Sequence, residues 1–195
     1  LWLDELTKGG TPEQTAIIDF DGAQFSYGLL EQMVCDLAAH LTRHGIRPGD
    51  RVMVVSENCA TFAVAMLAVT RMKAWVTPVN ARQSNGEIQA ILDHSGARAM
   101  LFTPEASQNA TEHAKAFAAK GIGHLACGDI LITDCTETTP EPVSADPRKQ
   151  VAALMYTTGT TSAPKGVMLT HANLMWNALV SGKTRKLGPA DTVLA

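Results

Sequence analysis

The stretch "RVMVVSENCATFAVAMLAVTRMKAWVTP", residues 51–78, carries the pattern that decides the fold. It begins with the continuous apolar run "RVMVV", which is typical of a strand whose two faces are both covered. A helix is predicted from about Ala60 to Met72, and residues 74–77 then predict a second strand, which Pro78 is expected to break. Two buried strands joined by a helix indicate a parallel strand-helix-strand unit.

The pattern extends upstream from this unit. Residues 16–25 form two β-prone runs joined at Asp21-Gly22, a dipeptide favoured in tight turns, so they predict a hairpin. Ser26 is placed to cap a helix whose apolar residues recur at helical spacing, and Gly45 is placed to end it. One face of that helix is therefore expected to be buried.

The alternation also continues downstream. Ser84 and Glu87 form a capping box for a helix that ends near Gly96, and "RAMLF" repeats the strand pattern. Further elements follow, namely a helix from about Ala106 to Lys120 and apolar runs around residues 124–127 and 130–133. Together they predict an α/β fold of mainly parallel, helix-covered sheets with some antiparallel hairpins.

The composition changes at residues 136–149, "TETTPEPVSADPRK", which contain three prolines and show no periodicity. They predict a surface linker at 136–150, between an N-terminal α/β subdomain at 1–135 and the start of a next subdomain at 151–195. The final "DTVLA" has the pattern of a strand that is entered and then cut off. A fragment of a longer protein is therefore expected.

Charge and cysteine content narrow the classes of partner and compartment. Sixteen Lys and Arg against 19 Asp and Glu leave a formal net charge of -3, which gives no electrostatic footprint for nucleic acid or a membrane surface. The four cysteines are scattered without a CxxC pair and are typical of reduced core thiols, so a cytoplasmic, reducing compartment is expected. The most apolar stretch, residues 60–69, is too short for a bilayer span.

Residues 157–166 carry the chemistry that the sequence predicts. They contain five hydroxyls, two glycines and one cation, Lys165. Hydroxyls and backbone N–H groups donate to phosphate oxygens, glycine lets the backbone approach closely, and lysine supplies a positive charge. The segment is thus suited to a polyphosphate, although composition alone also allows a Ser/Thr/Gly-rich hairpin loop that binds no ligand.

A Walker A phosphate loop is the main alternative motif. It requires Gly before its Lys, Ser or Thr after it, and a helix that begins there. Here Pro164 precedes Lys165, Gly166 follows it, and "GVML" predicts a strand in place of a helix. Kinase-type and motor-type NTPase chemistry is therefore disfavoured.

The ordered string "YTTGTTSAPKGVMLTH", residues 156–171, resembles the phosphate-binding signature of the adenylate-forming (AMP-binding) superfamily, which includes acyl-CoA synthetases, luciferases and peptide-synthetase adenylation domains. The resemblance covers nearly the whole chain, since "SYGLLEQ", "LTRHGIRPGDRVMVVSENC", "TPVNARQSNGEI" and "HSGARAML" are similar to the family's N-terminal region in the same order. The resemblance implies that the chain is an incomplete N-terminal portion of the family's large domain and lacks the C-terminal domain. Within the family, the sequence is most similar to the acyl-CoA synthetases.

The resemblance also implies a set of nucleotide contacts. The residues that it assigns to the β- and γ-phosphates of ATP are Thr157, Thr158, Gly159, Thr160, Thr161 and Lys165. Mg²⁺ is expected with ATP, but its ligands, like the catalytic residues, are implied to lie beyond residue 195. Ser162 stands where the family usually has Gly, and it would strain the loop by about 1 kcal/mol if that position requires a positive φ.

The function that the resemblance implies is ATP-dependent activation of a fatty or aromatic carboxylic acid to an acyl-adenylate with release of pyrophosphate, followed by transfer to CoA. ATP, the acid and CoA are the expected partners, and the protein could also form a homodimer. The fragment alone is expected to be inactive. Two alternatives remain: an adenylation domain that loads a carrier protein, and a non-catalytic nucleotide-binding module.

Other residues give weaker signals. His40 and His44 have a spacing found in metal sites, but no third ligand accompanies them in the sequence. His171 is interpreted as a helix-start residue that packs on the loop, in preference to a reporter of the ligand. Three further residues would suit an acyl pocket, but their spacing is more typical of a core: Met168, Met175 and Trp176.

Overall fold

The computed structural model describes residues 1–157, 164–188 and 191–193. Its strands and helices in chain order are β1 (Thr15–Ile18), β2 (Gln24–Ser26), α1 (Tyr27–His44), β3 (Arg51–Ser56), α2 (Ala60–Arg71), β4 (Trp75–Asn80), α3 (Asn85–Ser95), β5 (Ala99–Phe102), α4 (Gln108–Ala116), β6 (Lys120–Leu125), β7 (Gly128–Ile132), β8 (Val151–Thr157), β9 (Lys165–Thr170) and α5 (His171–Thr184). Short 3-10 helices lie at Leu3–Lys8 and Pro104–Ala106.

Seven of these strands form one sheet in the order β6-β7-β5-β3-β4-β8-β9. The centre is parallel, because β3 pairs in parallel with both β4 and β5, and β4 pairs in parallel with β8. Both edges are antiparallel, formed by β5, β7 and β6 on one side and by β8 and β9 on the other. The predicted fold class, a mainly parallel, helix-covered α/β sheet with antiparallel hairpins, is confirmed.

Strand β3 is a continuous apolar run because both of its faces are buried. Val52 and Val54 pack into a core that includes residues of α1 and α2, whereas Met53 and Val55 pack into a separate core with residues of α3 and α4. All four side chains are fully buried. An internal strand covered on both faces has no polar face, so its residues do not alternate between apolar and polar.

Local signals predicted several boundaries correctly. Ser26 accepts a backbone hydrogen bond and caps α1, while Ser84 and Glu87 form the expected capping box at the start of α3. The strands β1 and β2 form the predicted hairpin around Asp21-Gly22. These features depend on contacts within a few residues of one another, which is why the sequence alone reveals them.

The prediction that Pro78 breaks the second strand is wrong. Strand β4 continues to Asn80, and Pro78 lies opposite Val54 of β3. The described pairing between β4 and β8 is at Val76 and Ala153, so the part of β4 beyond Val76 behaves as an edge. A proline is tolerated at an edge because its missing N–H is not needed by a second ladder.

The predicted helix from Ala106 to Lys120 is too long. A 3-10 turn ends at Ala106, and α4 then ends at Ala116. Ala118 has a φ of 54°, in the left-handed region that commonly ends a helix, and Lys120 begins β6. Pairing of β6 with β7 in an antiparallel hairpin overrides the helical preference of this segment.

The segment at 136–150 contains no helix or strand, but hydrogen bonds hold it against the start of the sheet. The backbone N–H of Glu141 donates to the carbonyl of Gly49 at 2.9 Å. The buried Gln150 donates through Nε2 to the carbonyl of Lys73 at 3.2 Å. Strand β8 then joins the same sheet as β3 and β4. The division into subdomains at this segment stays a prediction.

The cysteines Cys35, Cys59, Cys127 and Cys135 are all free. Burial raises the pKa of the Cys127 and Cys135 thiols, so both stay protonated at neutral pH. Within the described ranges, each helix is too short or too polar to cross a membrane. The cytoplasmic location stays a prediction.

Candidate functional site

Strands β8 and β9 form a hairpin whose open end carries two of the residues predicted to contact ATP. Thr157, the last residue of β8, is the cross-strand partner of Lys165, the first residue of β9. Both residues are exposed. Because directly opposed residues of an antiparallel pair lie on the same face, the hairpin presents a hydroxyl and an ammonium group together. Such a pair is suited to phosphate oxygens.

The other residues assigned to the phosphates, Thr158, Gly159, Thr160 and Thr161, lie outside the described residues, as does the variant position Ser162. Their contact with ATP, like that of Thr157 and Lys165, stays a prediction. The element that follows Pro164 is strand β9, as predicted. Since a Walker A loop is followed by a helix, this motif is excluded.

Tyr156, one residue before the end of β8, makes a contact that the sequence did not predict. Its hydroxyl lies 2.7 Å from Nδ1 of His94 on α3, and the two rings are perpendicular. Burial raises the pKa of the Tyr156 phenol, although the Arg51 guanidinium opposes this effect. The phenol is therefore neutral, with a proton to donate, at physiological pH. His94 is 62 residues away in sequence, so no local pattern signals the contact.

A crevice of about 620 Å³ opens at the carboxyl ends of β3, β4 and β8 and is bordered by Tyr156. In α/β sheets this edge is the usual place for a ligand. The polar lining includes the ion pair of Glu57 and Arg82, joined at 2.8 Å, and the amide of Gln83. Hydrogen bonds from Ser107 and Arg82 lower the pKa of Glu57 and keep it ionised. The sequence did not predict this lining, and the one signal for it is the position of these residues after buried strands.

Helix α5 begins directly after β9 and places His171 in the interior. Thr170 and Asn173 form a capping box, and His171 is fully buried. Its Nδ1 accepts a hydrogen bond from the backbone N–H of Leu3 at 3.0 Å, and the Trp2 ring packs edge-on at 4.8 Å. His171 is a buried residue at the start of a helix, as predicted, but the contacts described here are with the N-terminal segment, so its packing on the loop stays a prediction.

Acidification is expected to destabilise the fold through His171. Burial lowers the pKa of His171 from 6.5 to about 4, and the charge of Lys73 adds to this effect while Asp4 opposes it. The unfolded chain therefore binds the proton more readily than the folded chain. The contribution of His171 to stability is complete above pH 6.5 and falls by about 3 kcal/mol as the pH drops towards 4. Urea unfolding at a series of pH values measures this slope.

Two variants distinguish the contribution of His171 to the pH dependence of stability from the contribution of the carboxylates. His171→Leu removes the titrating group, so its stability should be lower at neutral pH but should fall less steeply between pH 6.5 and 4. His124→Gln, at an exposed histidine that contacts Asp129, is the control for histidine substitution as such. If His171→Leu and the unchanged protein had the same slope, the buried imidazole would not be the titrating group.

The interpretation of Met168, Met175 and Trp176 as core residues holds for only one of them. Met175 is buried, whereas Met168 and Trp176 expose 61% and 67% of their surfaces. The exposed residues of β9 and α5 also include Val167 and Leu179. Spacing predicts which residues share a face, but it does not show whether another element covers that face.

Among the described residues, Glu105, His124 and Asp129 bring three potential metal-ligating atoms within 4.8 Å of one another. All three are exposed, and β6 and β7, which carry His124 and Asp129, lie at the opposite edge of the sheet from the hairpin. In the histidine pair of α1, Nε2 of His44 already contacts the carbonyl of Thr133 at 2.9 Å. We assign no metal to either group.

Comparison with known proteins identifies the family of the chain. The sequence model of the family described as "AMP-binding enzyme" matches residues 5–195. A feruloyl-CoA synthase from Amycolatopsis sp. is 35% identical over 171 residues, which cover 87% of this chain and 33% of that protein. The nonribosomal peptide synthetase gliP from Aspergillus fumigatus is 28% identical over 185 residues, which cover 94% of this chain and 8% of that protein.

The fold is also similar to solved structures. The apo structure of MbtA from Mycobacterium smegmatis matches with a TM-score of 0.75 at 25% sequence identity. The match covers 98% of this chain and 38% of MbtA. The chain thus spans 33% to 38% of the length of the feruloyl-CoA synthase and of MbtA, and a smaller share of the peptide synthetase.

Proposed function

The chain belongs to the AMP-binding enzyme family, as its resemblance implied, and on that premise we propose that the protein uses ATP to activate a carboxylic acid. The carboxylate attacks the α-phosphorus of ATP, the bond from that phosphorus to the bridging oxygen breaks, and an acyl-adenylate and pyrophosphate result. A thiol then displaces AMP from the acyl group, and CoA is the thiol that we propose. Because the chain covers 33% of the feruloyl-CoA synthase, the reaction is proposed for the full gene product, and residues 1–195 alone are expected to be inactive.

One observation carries this proposal, namely the pairing of Thr157 with Lys165 at the open end of the hairpin. As pyrophosphate departs, negative charge builds on its oxygens. The Lys165 ammonium neutralises that charge, while the Thr157 hydroxyl donates a hydrogen bond. The pairing of β8 with β9 holds both groups opposite each other, and β8 is joined to β4 further back, at Ala153.

Mg²⁺ is proposed as the companion of ATP, since it commonly bridges phosphate oxygens. The described residues at the open end of the hairpin do not fit a magnesium ion. Magnesium prefers carboxylate and water oxygens, whereas Thr157 and Lys165 offer one hydroxyl and a cation that repels another cation. We therefore assign neither a magnesium ligand nor a step of the reaction to the metal here.

The proposal also specifies the class of acid and the thiol that accepts the acyl group. Identity is higher with the feruloyl-CoA synthase, at 35%, than with the peptide synthetase gliP, at 28%, which supports CoA as the acceptor and an aromatic acid as the substrate. A fatty acid is the other substrate class that we propose. The crevice beside Tyr156 gives an organic substrate room next to the hairpin. The second candidate is an adenylation domain that loads a carrier protein, and the match to gliP over 94% of this chain supports it.

Pyrophosphate exchange tests the first half of the reaction. The full gene product, incubated with ATP, Mg²⁺ and labelled pyrophosphate, is expected to incorporate label into ATP only when a suitable fatty or aromatic acid is present. A second stage compares CoA with a carrier protein that bears phosphopantetheine, and formation of acyl-CoA is expected. Transfer to the carrier alone would select the second candidate. No exchange with any acid of a broad panel would reject activation and leave the non-catalytic nucleotide-binding module.

A further inference from the structure

The strand end that leads into the predicted phosphate loop is tied to a helix outside the hairpin. Tyr156 is the neighbour of Thr157, and its hydroxyl lies 2.7 Å from Nδ1 of His94. The imidazole stands perpendicular to the phenol ring, with the ring centroids 5.6 Å apart. His94 belongs to the last turn of α3, which packs into the core through the buried Ile88 and Ile91. The phenol is therefore hydrogen-bonded to a helix that is itself packed into the core.

The same phenol ring also lies against the other strand of the hairpin. Gly166, the neighbour of Lys165, is the cross-strand partner of Tyr156. A Cβ atom added at Gly166 would lie 3.2 Å from Cζ of Tyr156 and 2.9 Å from Cδ1 of Leu154. The ring thus uses space that a side chain at position 166 would need. One aromatic side chain contacts both strand ends that flank the loop.

The hydroxyl of Tyr156 contributes a directional hydrogen bond, which packing of the ring does not require. A phenylalanine ring would fill nearly the same volume on the sheet, because apolar contact has no preferred direction. A hydrogen bond weakens steeply when its angle becomes poor. His94 is exposed, but α3 anchors its backbone in the core, so a bond to its imidazole restrains the tilt of the Tyr156 ring. Thr157 and Lys165 are bonded directly to Tyr156 and Gly166, and they are subject to the same restraint.

We propose that Tyr156, oriented by His94 and packed on Gly166, is a positioning residue that sets the geometry of Thr157 and Lys165 for the phosphates of ATP. This inference rests on the proposed function. Tyr156 need not touch the nucleotide for this role. Charge-assisted hydrogen bonds to phosphate require short distances and good angles, so a small displacement of the strand ends is enough to weaken them.

Steady-state kinetics of the full gene product test the proposal with Tyr156→Phe, His94→Phe and the double variant. Each single variant is expected to raise the KM for ATP about three- to tenfold, the effect of losing one hydrogen bond, while the KM for the acid stays unchanged. The double variant should be no worse than either single variant, because both changes remove the same bond. Tyr27→Phe and His124→Phe are matched controls and should leave both KM values unchanged.

Hydrogen-deuterium exchange adds a measurement that needs no nucleotide. Peptides that cover β8 and β9 are expected to exchange faster in both single variants, while peptides of α1 keep their protection. A KM for ATP within twofold of the unchanged protein in Tyr156→Phe, or unchanged exchange in the hairpin, would overturn the proposal. Absence of pyrophosphate exchange in the unchanged protein would reject the proposed function instead. The hydrogen-exchange result would then still decide whether Tyr156 and His94 position the hairpin.

Discussion

Lys165→Ala is expected to lower kcat/KM for ATP about 10- to 150-fold, since a hydrogen bond to a charged group contributes about 1.5–3 kcal/mol. The reason is that Lys165 stands at the open end of the hairpin opposite Thr157, where the proposed reaction requires the charge of the departing pyrophosphate to be neutralised. The fold should survive, because Lys165 is exposed. The rate of pyrophosphate exchange at a series of ATP concentrations, together with the melting temperature, measures both effects.

Two further variants show whether charge or geometry at residue 165 is responsible. Lys165→Arg keeps the positive charge but replaces a compact ammonium by a planar fork, so it should recover part of the activity. Lys183→Ala removes an exposed lysine from α5 and should leave kcat/KM unchanged. Equal kinetics in Lys165→Ala and Lys183→Ala would mean that the open end of the hairpin does not contact the nucleotide.

The parts of the fold that could be predicted depend on neighbouring residues. Ser26 and Ser84 cap their helices through bonds to residues three positions away, so their sequence context is sufficient. Pro78 and the segment after Ala116 were predicted wrongly because pairing with distant strands decides their conformation. Pro78 stays in β4 through its partnership with β3, and Lys120 extends in β6 through its pairing with β7.

In the candidate site, too, features that depend on residues close in sequence could be predicted, whereas contacts between distant residues could not. The sequence predicted strand β9 after the loop, whereas the pairing of Thr157 with Lys165 is known from the register of the hairpin. The contact of Tyr156 with His94 could not be predicted, because it depends on where α3 packs in the sheet. The lining of the crevice likewise depends on strand order, which brings the carboxyl ends of β3, β4 and β8 to one edge.

Gly49→Ala is expected to produce the largest loss of stability among the substitutions considered, roughly 3 kcal/mol. Gly49 has a φ of 83°, where an L side chain costs about 1–2 kcal/mol. A Cβ at this position would also collide with the carbonyl oxygen of Glu141, and such overpacking costs about 1–3 kcal/mol more. For a protein of this size the melting temperature should fall by roughly 6–12 °C.

Gly22→Ala separates the two causes of that loss. Gly22 has a φ of 87°, close to that of Gly49, but no atom lies within 4 Å of the place where its Cβ would be. It should therefore lose only the conformational part, about 1 kcal/mol or slightly more. Because Glu141 also donates its backbone N–H to the carbonyl of Gly49, the difference between the two variants in urea unfolding measures how firmly residues 136–150 are fixed to the start of β3. Equal losses would mean that this segment can move aside at little cost, as the predicted linker would, whereas a larger loss in Gly49→Ala would make it a packed part of the sheet's surroundings.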